Sequence, residues 1–133
     1  MTLLPCPLGH AASRYARQIA VHSPAESKSY AQLDRDVAAI ERQLARRGVH
    51  SGHRVAIQAR NSYRLICTLW ALFRRRAIAC LMNPRWPAGA VQNAVELVRA
   101  DHVLSESSLF TYGATSGGSE SPSTVDEIGR AHV

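Results

Sequence analysis

Residues able to do chemistry are few and scattered in this sequence. Lys28 is the single lysine, set against fifteen arginines. Thr115-Ser116-Gly117-Gly118-Ser119-Glu120-Ser121-Pro122-Ser123 has the small residues that let backbone amides approach phosphate oxygens. It lacks the lysine that such a loop uses to meet the phosphates, so it reads as linker. His10, His22, His50, His53 and His102 show no spacing that sets two metal ligands on one helix face, and read as surface or turn residues. Cys6, Cys67 and Cys80 form no Cys-x-x-Cys pair and leave one thiol over in any disulfide scheme. Neither a secreted disulfide framework nor a zinc site follows. Arg74-Arg75-Arg76 could meet phosphate, although a helix C-terminus attracts cations by its dipole alone. Trp70 reads as core, and Trp86, between Pro84 and Pro87, as partly exposed. The residues assign no catalytic, cofactor-binding or metal-binding side chain.

These residues sit in a chain of 133 residues with 46% hydrophobic and 20% charged side chains, ordinary proportions for one globular domain. The longest apolar run, Leu65 to Phe73, is closed by Arg64 and Arg74 and is far short of the roughly twenty residues a membrane helix needs. No membrane span is expected. Pro5 and Pro7 interrupt the start of the chain, where a secretory signal would need a basic stretch before an apolar one. With the odd cysteine count, this points to a reducing cytoplasm. The net charge of +6 is uneven: residues 1–106 carry fifteen bases against seven acids, and residues 107–133 one base against three acids. An arginine-rich surplus spread along the chain fits the codon habit of a GC-rich genome. The alternative is a small basic module that binds nucleic acid or another polyanion through Arg46, Arg47 and Arg74 to Arg76.

Helical and strand periods alternate from about residue 19 to residue 104, the pattern of βα units around a mainly parallel sheet. Ile19 to Val21 reads as a first strand or edge pair before the turn at Pro24. Ser29-Tyr30-Ala31-Gln32 has capping-box spacing, and Leu33, Val37, Ile40 and Leu44 follow on one helical face with Asp34, Asp36, Arg42 and Arg46 facing away. Gly48 ends that helix. Arg54 to Ala59 alternates as a strand, and Asn61-Ser62 can cap a helix with a wide apolar face of Leu65, Ile66, Leu69, Trp70, Leu72 and Phe73. Ala77 to Met82, continuously apolar, suits a strand buried on both faces. Pro87 or Ala88 opens a helix that turns Val91, Val95 and Val98 inward, and His102-Val103-Leu104 closes as a strand.

Five pieces in this order carry a resemblance: Ser29 to Leu33, Leu44 to Ile57, Asn61-Ser62, the Ala77–Met82 run, and Asn83-Pro84-Arg85-Trp86-Pro87. Together they resemble the opening of the AMP-forming acyl-adenylate synthetases, the superfamily of acyl-CoA ligases, luciferases and peptide-synthetase adenylation domains. The resemblance covers residues 8–106. It implies an α/β fold, part of the large N-terminal domain of an adenylate-forming enzyme. Pro5-Cys6-Pro7-Leu8 and the Asn83–Pro87 loop look most like o-succinylbenzoate–CoA ligase of menaquinone synthesis. His53 stands where such enzymes usually carry Asp, and Arg76 where a glycine usually ends the helix; Arg76 must hold a left-handed conformation or end the helix another way.

For a full-length relative the resemblance implies a carboxylic acid substrate, ATP, Mg²⁺ and CoA, with none of the three cofactors held by this fragment. A Ser/Thr/Gly loop ending in Pro-Lys, the later nucleotide motifs and a C-terminal lysine do the adenylation in such enzymes. Lys28 matches none of these positions, and Tyr112-Gly113-Ala114-Thr115 mimics an adenine-side motif at the wrong place. The expected division is a partial synthetase domain over 1–106 and a Ser/Gly-rich linker over 107–126. Residues 127–133 read as a sequencing-adapter artefact, because Glu127 to Val133 can be encoded by GAGATCGGAAGAGCACACGTC and the adapter continues with a stop codon. An inactive fragment that associates with itself, and no specific nucleic acid partner, complete the expectation.

Overall fold

The computed structural model describes residues 5–109. Of the linker expected over 107–126, residues 107–109 are described and continue a 3₁₀ turn, while the rest, with the phosphate-loop and adapter readings, lies outside the described residues. In chain order the elements are α1 (Pro7–Arg14), β1 (Ile19–His22), β2 (Ser27–Ser29), α2 (Tyr30–Arg46), β3 (Arg54–Gln58), α3 (Tyr63–Arg74), β4 (Ile78–Met82), α4 (Ala88–Val98), β5 (His102–Ser105) and a 3₁₀ turn (Glu106–Ser108). β1 and β2 form an antiparallel pair, while β4, β3 and β5 form a parallel sheet with β3 in the middle. This is the α/β, mainly parallel architecture the sequence predicts.

α2 begins as its sequence dictates. The Ser29 amide donates to Gln32 Oε1 at 2.8 Å and the Gln32 amide donates to Ser29 Oγ at 3.2 Å, so two of the first-turn donors are satisfied. Leu33, Val37, Ile40 and Leu44 are all buried. Asp34 and Asp36, expected to face away, instead meet α3: Asp34 pairs with Arg74, and Asp36 accepts from the Tyr63 hydroxyl at 2.7 Å. A helix packed along two of its sides turns part of its polar stripe toward a neighbour.

The sheet separates two apolar layers. Val55, Ile57 and Leu104 join α1, α2 and α3 residues on one face, and Ala56 and Met82 join Val95 and Ala100 on the other. β3 is therefore buried on both faces. β4 is not, contrary to expectation. It lies at the sheet edge, only Met82 is buried, and Leu81 is 61% exposed. An apolar run reports a strand's chemistry, whereas its burial depends on what lies beside it. The α3 face is likewise rotated from the expected one. Leu65, Cys67, Thr68, Ala71 and Leu72 are buried, Ile66, Leu69 and Trp70 are half-buried, and Phe73 is exposed against Trp70. In α4, Val95 is fully inward, with Val91 and Val98 partly so. α1 was not expected, and β1 with β2 forms the edge pair that was one reading of Ile19 to Val21; beyond Glu106, Ser108 and Leu109 are buried.

Three helices end in the same way. The Gly48, Arg76 and Arg99 amides reach back to Ala45, Phe73 and Glu96, and the next amides, of Val49, Ala77 and Ala100, reach Leu44, Leu72 and Val95. This two-bond closure requires a left-handed residue, and φ is 80° at Gly48, 57° at Arg76 and 53° at Arg99. Arg76 thus adopts the strained alternative. The left-handed conformation costs a side-chain-bearing residue roughly 1–2 kcal/mol, and glycine returns about 0.5–1 of that through its freer unfolded state. Arg76→Gly is expected to raise stability by about 0.5–1 kcal/mol, read as an upward shift of the thermal midpoint by a few degrees. A fall in the midpoint would refute the strain.

Candidate ligand crevice

The parallel strands deliver their following loops to one edge of the sheet. After β3 the chain turns into α3 on one face, and after β4 it turns into α4 on the other. Where adjoining strands send their connections to opposite faces, the chain parts and leaves a crevice, the usual ligand position in open α/β sheets. Here it is a cavity of about 610 Å³ lined by Ala59, Arg60, Asn61, Pro84 and Arg85. Arg60 Nε lies 3.9 Å from Glu106 Oε2, and both side chains are largely exposed, so water screens the pair. Arg85 is held through its backbone: its amide donates to Asn83 Oδ1 at 2.8 Å, and the Trp86 amide closes a turn onto the Asn83 carbonyl.

Two guanidinium groups and an amide suit a phosphate or a carboxylate. Among the described residues, the side chains lining it are two guanidinium groups, one amide and two apolar groups, a set suited to binding and orienting an anion. Sequence reasoning named none of Arg60, Asn61 and Arg85 as a site. The usable signal was their place immediately after two strands of a βα series.

A second groove, of about 340 Å³, is lined by Lys28, Gln32, Arg35, Asp36 and Ala39. Its charges largely cancel: Lys28 Nζ lies 3.4 Å from Glu26 and 5.4 Å above the Tyr63 ring, and Asp36 is engaged by Tyr63. Burial first, and then the Asp36 hydrogen bond, hold the Tyr63 hydroxyl protonated far above its ordinary range. Burial likewise pushes the Cys67 thiol up to about 11. Cys6 differs. Burial pushes its thiol up, but the Arg74 Nε–H at 3.3 Å and the first-turn amides of Gly9 and Leu8 outweigh that and leave it below the ordinary value.

The remaining candidates fall as follows. His50, His53 and His102 come together, which spacing alone did not show: the His50 amide donates to His53 Nδ1 at 3.1 Å, and that nitrogen lies 3.2 Å from His102 Nε2. Among the described residues no group of three His, Cys, Asp or Glu could hold a metal ion. Of the arginines offered to a polyanion, Arg74 is engaged by Asp34 and Cys6, and Arg75 donates to the Val49 carbonyl at 2.8 Å. Arg46 and Arg76 remain exposed. Trp86 is partly exposed, as expected, and Trp70 is half-buried instead of core. No helix among the described residues is long and apolar enough to cross a membrane.

Solved structures share this fold. The N-terminal subdomain of NpsA from Klebsiella oxytoca, in complex with 3-hydroxyanthranilyl-AMSN, superposes with a TM-score of 0.71 at 19% identity, over 74% of this chain and 25% of that one. The N-terminal domain of FACL13 from Mycobacterium tuberculosis gives 0.70 at 24% identity, over 74% and 25%. Malformin synthetase mlfA of Aspergillus sclerotiicarbonarius is 29% identical over 94 residues, 71% of this chain and 2% of that protein. The chain therefore spans about a quarter of these structures and a small part of the synthetase. The AMP-binding enzyme family, as such, matches residues 8–129, nearly the whole chain, and the chain belongs to that family.

Proposed function

We propose that this chain is the opening part of an acid-activating ligase, which joins a carboxylic acid to ATP as an acyl-adenylate and passes the acyl group to CoA. The observation that carries the reading is the Arg60–Asn61–Arg85 crevice at the carboxyl ends of β3 and β4, in a chain of the AMP-binding family. Its chemistry suits a phosphate-bearing part of ATP or CoA. It does not suit Mg²⁺, because its side chains are cations and an amide and hard cations take oxygen ligands. Our reading of the acid is o-succinylbenzoate, on the residues at 5–8 and 83–87, and of the compartment is the cytoplasm.

Adenylation needs cations and donors placed where negative charge develops, and a clamp on the departing pyrophosphate. The Arg60–Asn61–Arg85 crevice supplies cations and an amide for binding, and none of the side chains that line it is a nucleophile. The purified chain is expected to show no acid-dependent exchange of pyrophosphate into ATP, with o-succinylbenzoate or a panel of fatty and aromatic acids. Exchange above a heat-killed control would place a working site where this reading has none.

Self-association is the other consequence. β4 is an uncharged, proline-free edge strand in unbroken register with β3, with Ile78 and Leu81 exposed, and open edges of this kind pair with further strands. Sedimentation should show mass rising with concentration, and Leu81→Lys should return the chain to monomer. A wild-type chain that stays monomeric at high concentration would remove β4 from consideration.

A further inference from the structure

The loop that carries Arg85 is held by one side chain reaching up from the middle strand. Gln58 is the last residue of β3, and its Nε2 lies 3.0 Å from the Trp86 carbonyl, 3.2 Å from that of Asn83 and 3.4 Å from that of Pro84. One carboxamide has two N–H bonds, so these are shared among three carbonyls in a converging set. The loop has its own turn as well, from the Trp86 amide to Asn83 and from the Arg85 amide to Asn83 Oδ1. That turn fixes the loop's shape, and Gln58 fixes its position against β3, whose next three residues, Ala59, Arg60 and Asn61, form the opposite wall of the crevice.

We infer that Gln58 is a positioning residue: it sets Arg85 opposite Arg60 and occupies the carbonyls that would otherwise be free to turn their negative ends toward a bound anion. The inference rests on the reading of the crevice as a phosphate site. It does not follow from the fold, because a strand-end residue of any apolar type would continue β3 equally well.

Two measurements on the full chain separate the clamp from the crevice. Amide exchange at Arg85 and Trp86 reads the loop with no ligand present, and titration with inorganic pyrophosphate reads the crevice. Gln58→Leu keeps the size and removes both donors. It is expected to speed exchange at Arg85 and Trp86 while exchange in α2 stays unchanged. It should also weaken pyrophosphate by roughly tenfold, about the loss of one charge-assisted contact. Gln58→Glu, which also lacks donors and adds a charge, should weaken it further. If Gln58 acts through Arg85, the effect of Gln58→Leu should largely vanish in an Arg85→Ala background. Unchanged exchange at Arg85 and Trp86, or effects of Gln58→Leu and Arg85→Ala that simply add, would overturn the assignment. If the wild-type chain binds no pyrophosphate while Gln58→Leu still frees the loop, the phosphate reading falls and Gln58's hold on Arg85 stands.

Discussion

Leu72→Ala is expected to cost about 3–4 kcal/mol and Phe73→Ala about 1 kcal/mol or less, although the two residues are neighbours on one apolar helix. Leu72 is fully buried in the layer between α3 and the sheet, and deleting its isobutyl group leaves a cavity that the surrounding side chains fill only in part. Phe73 is 57% exposed and rests on Trp70, so truncation there forfeits part of one ring contact. A domain of this length has a stability of roughly 5–15 kcal/mol. The first change would therefore remove a large share of it, and the second little. Urea unfolding of both variants decides the matter: equal midpoints would mean that α3 is rotated from the orientation described.

That pair also marks how far the sequence was legible. Local signals were read correctly where the physics is local: the Ser29–Gln32 box, the Leu33–Leu44 stripe and the Gly48 stop each depend on residues within a few positions of one another. α1 was missed because its eight residues bury only Leu8, leaving no apolar period to read. β2, Ser-Lys-Ser, has no strand preference and is extended because β1 pairs with it. The wide apolar face of α3 and the apolar run of β4 were both visible, but their burial is settled by neighbours: α2 and the sheet select Leu65, Thr68 and Leu72, and the edge position of β4 leaves Leu81 outside.

Long-range pairings lay further out of reach. Tyr63–Asp36 joins residues 27 positions apart, and His53–His102 joins residues 49 apart. Nothing in either local pattern requires the other partner. The crevice has the same origin. Arg60 and Asn61 follow one strand and Arg85 follows the next, and parallel register alone brings them to one mouth. Parallel register also places a strand-end glutamine under the loop that carries the second arginine. A βα series could have identified the strand ends as the place to look. It could not have said which side chains would converge there.

Removing both crevice arginines is expected to abolish most of the affinity for pyrophosphate, ATP or CoA, whereas removing two arginines elsewhere is not. Hydrogen bonds to charged groups are worth roughly 1.5–3 kcal/mol each, and because both guanidinium groups are exposed the lower end applies, so Arg60→Ala/Arg85→Ala should weaken binding by about a hundredfold. Arg46→Ala/Arg47→Ala removes the same formal charge at the far end of α2. If only the general field of a basic chain mattered, the two double variants would lose affinity alike, and that loss would disappear as salt screened it. A polyanion-binding module predicts this equality, together with steeply salt-dependent binding of DNA or RNA. A crevice with directed donors predicts inequality that persists at physiological salt, because the contacts are short-range and their geometry is set by β3 and the Asn83–Trp86 turn. Calorimetric titration of both variants with CoA and with a short duplex DNA, at low and physiological salt, separates the two. Equal loss in both variants would set aside the ligase reading of the crevice in favour of the basic module.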